Sequence, residues 1–514
     1  MSDPVSASAH ALTKTVVAGW TVRPLCSACV ALMLIVSMGA CATGRPSLSV
    51  LRSPSFDRGM AMYYGFDYDA AIRSFEQAAN EREGSALSQW GIALALGPNL
   101  NDRAMKERMA KASAALARAR DLAPHESGRI SDLVEALGAR YTTAAAFDLD
   151  ALNRAYADRM KALVAKYPAD DDVAVLYAES LLLVQPPQTG HSHALVNEAA
   201  VAAVEDVLKR NPTHLGANHY HIHLLETVDP KRALASARRL DEMRPEAGHI
   251  LHMPSHIYVR LGDYHAAVIS NQRALAADRA AEKATGHLPP MGYHTREFLA
   301  AAAGMTGQGA VARDADDSLF VQLRFNRWVE VVQRPRPNGS ISQLEWHVAR
   351  VLALAGLGRI EDAAAARIAY ATYQTTLPAD EQWWADPVGK FLPMARHEMD
   401  ARIAWAQGNR EEAILQWQQA VAAQDGLTRT DSVMPWFHSL RESLGAALLL
   451  RGRARDAEHT FRDDLRVNPG SGRALFGLWK ALAAQGRSSE ERRIERQFRE
   501  AWKNADIILS VEEL

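Results

Sequence analysis

Two short segments hold most of the chemistry available to this chain. The first reads His219-Tyr-His-Ile-His223-Leu-Leu-Glu226, and the second His249-Ile-Leu-His252-Met-Pro-Ser-His256-Ile-Tyr258. Ten of the 18 histidines fall between His214 and His294, so the residue type is concentrated rather than scattered. Residues three and four apart share one face of a helix. His219, His223 and Glu226 therefore project together, and His249, His252 and His256 repeat that arrangement. His219 precedes His252 by 33 residues, and His223 precedes His256 by the same 33. A structural repeat of that length stacks two His-x-x-x-His pairs in register. His294 and Glu297 add a further pair downstream.

Imidazole and carboxylate are the donors that suit a divalent transition metal such as Zn, Fe, Mn or Cu. Eight candidates exceed the first shell of one ion. Either two metals bind, or some of the eight orient the imidazoles of the others. Glu226 and Glu297 are placed to act as ligand or as general base. Arg260 is a candidate catalytic residue that would hold a substrate carboxylate or phosphate, or else a surface charge near a helix end. Two metal-free readings of the histidines stand beside these, a structural hydrogen-bond network and a peptide-binding surface.

The elements that must position these residues are helices. Beyond residue 50 the chain is Ala-rich, apolar at three- and four-residue spacing, and broken at Gly and Pro. It is self-similar at 33 to 34 residues, with Gly486 following Gly452 by 34. Tyr68, Ala71, Phe75 and Ala78 share a small-and-aromatic pattern with Gly262, Tyr264, Ala267 and Ala274. The pattern resembles the tetratricopeptide (TPR) repeat, which implies an all-α solenoid of stacked antiparallel helix pairs. Pairs are expected to begin near residues 52, 86, 126, 170, 215, 248, 292, 341, 386, 437 and 471. With Gly262 as the turn between helices A and B, His249, His252 and His256 fall second, fifth and ninth in helix A. In TPR arrays those positions face the concave groove. The site is thus expected on a solvent-lined surface, where His252→Ala or His256→Ala costs little packing. Arg334-Pro-Arg-Pro-Asn-Gly339 suggests a joint over 334–340, between an N-terminal array (42–333) and a C-terminal array (341–514).

More specifically, the chain resembles a group of bacterial TPR proteins carrying His-x-x-His-Met-Pro-Ser-His. The shared stretches are Trp90-Gly-Ile-Ala-Leu-Ala-Leu-Gly-Pro-Asn99, Asn218-His-Tyr-His-Ile-His223, Ala247-Gly-His-Ile-Leu-His-Met-Pro-Ser-His-Ile-Tyr258 and Trp346-His347. Ser443-Leu-Gly-Ala-Ala-Leu-Leu and Phe461-Arg-Asp-Asp-Leu465 follow. The resemblance implies the fold and a shared histidine site, but no particular reaction. Where relatives carry His-Asn-x-His, this chain has His294-Thr-Arg-Glu297, so a carboxylate stands in for a histidine.

Composition narrows the rest. The 514 residues carry a net charge of -2, from 58 Lys+Arg against 60 Asp+Glu, so no basic excess points to nucleic acid. Cys26, Cys29 and Cys41 are the only cysteines, leaving the body without thiolate or disulfide. Ala28–Ala40 has the length of a signal-peptide core and is too short to span a bilayer. Met38-Gly-Ala-Cys41 resembles a bacterial lipobox. Residues 1–41 then read as a lipoprotein signal, with Cys41 acylated and the protein exported, anchored on the periplasmic side or free in the periplasm. Phosphate-loop, dinucleotide, Gly-x-Ser-x-Gly and His-Glu-x-x-His motifs are missing. Two functions remain: a metal-dependent enzyme, a hydrolase or an oxidoreductase acting on a small-molecule or peptide substrate, or a TPR scaffold that binds a protein or peptide without catalysis.

Overall fold

A computed structural model describes residues 53–99, 108–144, 146–184, 197–289, 291–378, 380–384, 386–428 and 436–514. Cys41 and the leader lie outside the described residues. Residues 52–514 form one compact unit.

The unit is an all-α, TPR-like solenoid. In chain order its helices are α1 (Pro54–Tyr64), α2 (Tyr68–Glu81), α3 (Ala86–Ala95), α4 (Met109–Leu122), α5 (Gly128–Gly138), α6 (Leu149–Lys166), α7 (Asp171–Val184) and α8 (Glu198–Arg210). Then come α9 (Leu215–Leu225), α10 (Pro230–Met243), α11 (Gly248–His252), α12 (Pro254–Leu261), α13 (Tyr264–Thr285) and α14 (Gly292–Met305). Three short helices follow, α15 (Gly309–Ala315), α16 (Leu319–Arg324) and α17 (Trp328–Gln333). The series ends with α18 (Ser340–Gly356), α19 (Ile360–Gln374), α20 (Val388–Ala406), α21 (Arg410–Asp425), α22 (Leu440–Leu450), α23 (Ala454–Val467), α24 (Gly472–Ala484) and α25 (Ser488–Ala501). A two-stranded antiparallel ribbon, Gln382–Trp383 with Asp386–Pro387, precedes α20. Among the described residues, no helix is long and apolar enough to cross a membrane.

Local sequence explains the regularity. Asp67, Asp229 and Asp263 start helices by accepting the amide hydrogens of Ala70, Arg232 and Ala266. Glycines in the left-handed conformation end the A helices at Gly262, Gly307, Gly358, Gly408, Gly452 and Gly486, where a Cβ would strain the backbone. Aromatic knobs then lock neighbouring pairs. Phe75 sits so close to Gly59 and Gly91 that a Cβ on either would come within 2.5 to 2.7 Å of its ring. Phe461 does the same between Gly445 and Gly477. Both rings are fully buried.

Two departures from the regular pattern bear on the site. The A helix of the second histidine-bearing segment is broken at Met253, with Pro254 opening α12. Proline lacks an amide hydrogen, so the ladder is interrupted between His252 and His256. At the first A–B turn, Phe66 takes the left-handed conformation (φ 60°) that glycine takes at Gly262. A bulky residue rarely occupies that region without a reason.

Candidate metal centre

The solenoid brings six histidines into two adjacent triads. His219, His223 and His249 form one, and His252, His256 and His294 the other; in each, one ligand atom per residue lies within 4.8 Å of the other two. Helix α9 supplies two rings to the first triad, and α12 with α14 completes the second. The broken helix α11–α12 serves both, since His249 faces one triad while His252 and His256 face the other. The rings of His249 and His252 are 6.1 Å apart.

One expectation needs correcting. The histidines do not line a solvent-filled groove. His219 and His252 are 0% exposed, His256 1%, His223 4% and His249 7%, while His294 is half-buried. Phe66 fills the space over the first triad, its ring 4.6 Å from that of His219 and 5.0 Å from that of His249. Phe298 covers the second, 4.5 to 4.8 Å from His252, His256 and His294. These residues therefore carry packing as well as chemistry.

The hydrogen bonds assign the protons. His219 Nδ1 donates to the carbonyl of Tyr64 at 2.6 Å, since a carbonyl only accepts. His252 Nδ1 lies 2.6 Å from Asn271 Oδ1, and Asn271 Nδ2 donates to the Ala267 carbonyl at 2.8 Å, which fixes the amide orientation. His256 Nδ1 is 2.6 Å from Glu226 Oε2. Burial raises the Glu226 pKa, but His256 and hydrogen bonds from His223 and His256 outweigh it and hold the carboxyl well below the usual carboxylate range. Glu226 thus accepts, and His256 Nδ1 carries a hydrogen.

The Nδ1 atoms of His252 and His256 both face acceptors, so their Nε2 atoms point inward. Those two Nε2 atoms face each other at 2.8 Å. The first triad has the same arrangement, with His219 Nε2 at 3.0 Å from His223 Nε2 and 3.1 Å from His249 Nε2. Nitrogens at that separation share one cation, a proton in a hydrogen bond or a metal ion. Nitrogens bound to one metal at about 2.0–2.1 Å sit roughly 3–4 Å apart, a little beyond the 2.8 to 3.1 Å found here. Burial foremost, and then neighbouring histidines, push the pKa of His219 and His249 well below the ordinary value, so both rings stay neutral and ligand-ready.

The other expected site residues divide. Glu226 belongs to neither triad but bridges them from outside, 2.6 Å from His256 Nδ1 and 3.8 Å from His223 Nδ1. That geometry places it beside imidazoles of both triads and outside the two groups of ligand atoms. Glu297 is exposed and lines a neighbouring cavity of about 420 Å³, in place of the expected ligand position. Arg260 is half-buried near the end of α12 and belongs to neither triad. His221 points away, onto Ser236 and Glu205, and His214 caps α9. Trp346 donates to the Arg334 carbonyl and His347 stacks on Tyr373, so this pair packs within the C-terminal half. Tyr64, Phe66, Asn271 and Phe298 were not legible as site residues. For Phe66 a signal existed: Gly65-Phe-Asp-Tyr-Asp-Ala-Ala71 matches Leu261-Gly-Asp-Tyr-His-Ala-Ala267, with Phe where the turn wants Gly.

No protein-family model matches the sequence, and no curated protein matches it. Solved structures similar to it include a human IFIT1 dimer with m7Gppp-AAAA, at 13% identity and TM-score 0.28, covering 86% of this chain and 95% of that one. Yeast Tom70 aligns at 12% identity and TM-score 0.25, covering 88% and 100%. Naa15/Naa10 bound to HypK aligns at 13% and 0.23, covering 88% and 71%. Likeness this distant carries no argument about function.

Proposed function

We propose that this protein binds two divalent transition-metal ions in a buried centre of six imidazoles, three to each ion. The observation that carries the reading is the grouping of six imidazoles into two triads, in each of which one ligand atom per residue lies within 4.8 Å of the other two. His219, His223 and His249 would hold one ion; His252, His256 and His294 the other. Tyr64, Asn271 and Glu226 fix the ring orientations from behind. Elemental analysis of protein purified without a His-tag tests this. Two equivalents of metal per chain are expected, and a metal-free protein that gains no thermal stability from any of Zn, Fe, Mn or Cu refutes it.

A second reading, a module that binds a peptide or small molecule, is favoured by the neighbouring cavity. Its wall includes Tyr293, Arg296, Glu297, Phe320, Trp384 and Phe437, an aromatic surface with charges at its edge. Tyr293 is 69% exposed, which leaves that surface accessible. The two readings are compatible, because Glu297 lies one helical turn beyond His294. We further propose export and lipid anchoring through Cys41, on the strength of the leader sequence.

A further inference from the structure

We infer that the paired site is a copper centre that takes up dioxygen; the inference rests on the metal reading above and deepens it. Its first support is the donor set. Each triad offers three imidazole nitrogens, with no carboxylate or thiolate among the grouped ligand atoms. Manganese and paired iron sites favour carboxylate oxygen, and soft thiolates are missing from the body of the chain. Among ions that accept nitrogen alone, copper binds most strongly.

The second support is pairing. Each triad supplies three nitrogens, one short of a closed tetrahedral shell. The triads adjoin, with the His249 and His252 rings 6.1 Å apart and Glu226 reaching both. Two incompletely ligated ions side by side present a site for a diatomic bridge. The third support is the surroundings. Phe66 and Phe298 are 5% and 1% exposed and lie against the rings, so the surroundings of the triads are apolar. Exclusion of water protects a reduced-oxygen species from protonation and release.

The step balances without a further reagent. Each cuprous ion gives one electron, dioxygen accepts both, and the O=O double bond becomes the single bond of a peroxide. Copper–oxygen bonds form, two cupric ions result, and no proton moves. Release of dioxygen reverses every one of these changes.

The test uses the full chain, stripped of metal, loaded without air with cuprous ion, and then given oxygenated buffer. Expected are two coppers and one dioxygen bound per chain, a new near-ultraviolet absorption, and a weak cupric paramagnetic-resonance signal, because coupled ions cancel. Zinc-loaded protein, identical in fold, takes up no dioxygen. His249→Ala and His294→Ala each retain one copper, show its full signal and lose uptake, while His459→Ala on exposed α23 matches wild type. Two coppers bound with no uptake and two uncoupled signals would overturn the inference and leave the metal reading standing. Uptake that survives His294→Ala unchanged would overturn the pairing. Failure to retain any metal sinks both.

Discussion

His256 is gripped at both ends of its ring, by Glu226 at Nδ1 and by His252 at Nε2. Removing it leaves a carboxylate 2% exposed with its nearest partner gone. Breaking a buried pair on one side costs about 3–5 kcal/mol, far above the roughly 0.5 kcal/mol of an ordinary surface change. His256→Ala is therefore expected to lower the melting temperature of metal-free protein sharply. Glu226→Gln keeps the shape and one acceptor, so it should leave the fold intact and weaken metal binding by about 10–100-fold, measured by competition with a chelator. At this scale the sequence revealed the 33-residue register of the histidines, because helical spacing and repeat length are both periodic. It concealed the Tyr64 carbonyl, which lies 155 residues from His219 and involves no side-chain type at all. It also concealed burial, since a groove position in a repeat is exposed only when nothing such as Phe66 fills the groove.

Helices and turns obey a different logic. The starts expected near 86, 215, 248 and 292 coincide with Ala86, Leu215, Gly248 and Gly292, and the remainder fall within about three residues. Caps and glycine turns made them readable. Helices α15–α17 were not read, being only six or seven residues long and so too short to show a period. Gly262 matters for more than the approach of its own helices: φ is 81°, and a Cβ there would come within 2.4 Å of the Pro469 carbonyl. Gly262→Val should thus lower the melting temperature of the whole unit, by calorimetry, rather than fray one repeat. Helix α18 carries a separate prediction. Burial above all, then the charges of Glu297 and Asp316, raises Glu345 to about 7. An acid whose folded pKa lies above its unfolded value stabilises most below the latter. Its contribution should fade as pH rises from about 4.5 through about 7. Glu345→Gln is expected to flatten that slope in denaturant titrations run across the window, and an unchanged slope would assign it elsewhere.

For the whole molecule, the leader and the body make separable claims. Cys41→Ser should abolish incorporation of labelled fatty acid and move the protein from membrane to soluble fractions, with metal content unchanged. Within the body, the two halves touch where a simple array would not. The Gly470 position lies against the Gly262 carbonyl, the Asp506 amide donates to the Gly307 carbonyl, and Asp506 Oδ1 accepts from the Gly309 amide at 2.7 Å. Simple solenoids propagate from neighbour to neighbour. Here Asp506 must find Gly309 across 197 residues, a long loop closure that slows folding. Helices α12 and α14 thus spend that interval without their outer brace, while their histidines are already in place. Docking of the C-terminal segment becomes a clock: the turns after α12 and α14 stay unbraced until Gly470 and Asp506 arrive.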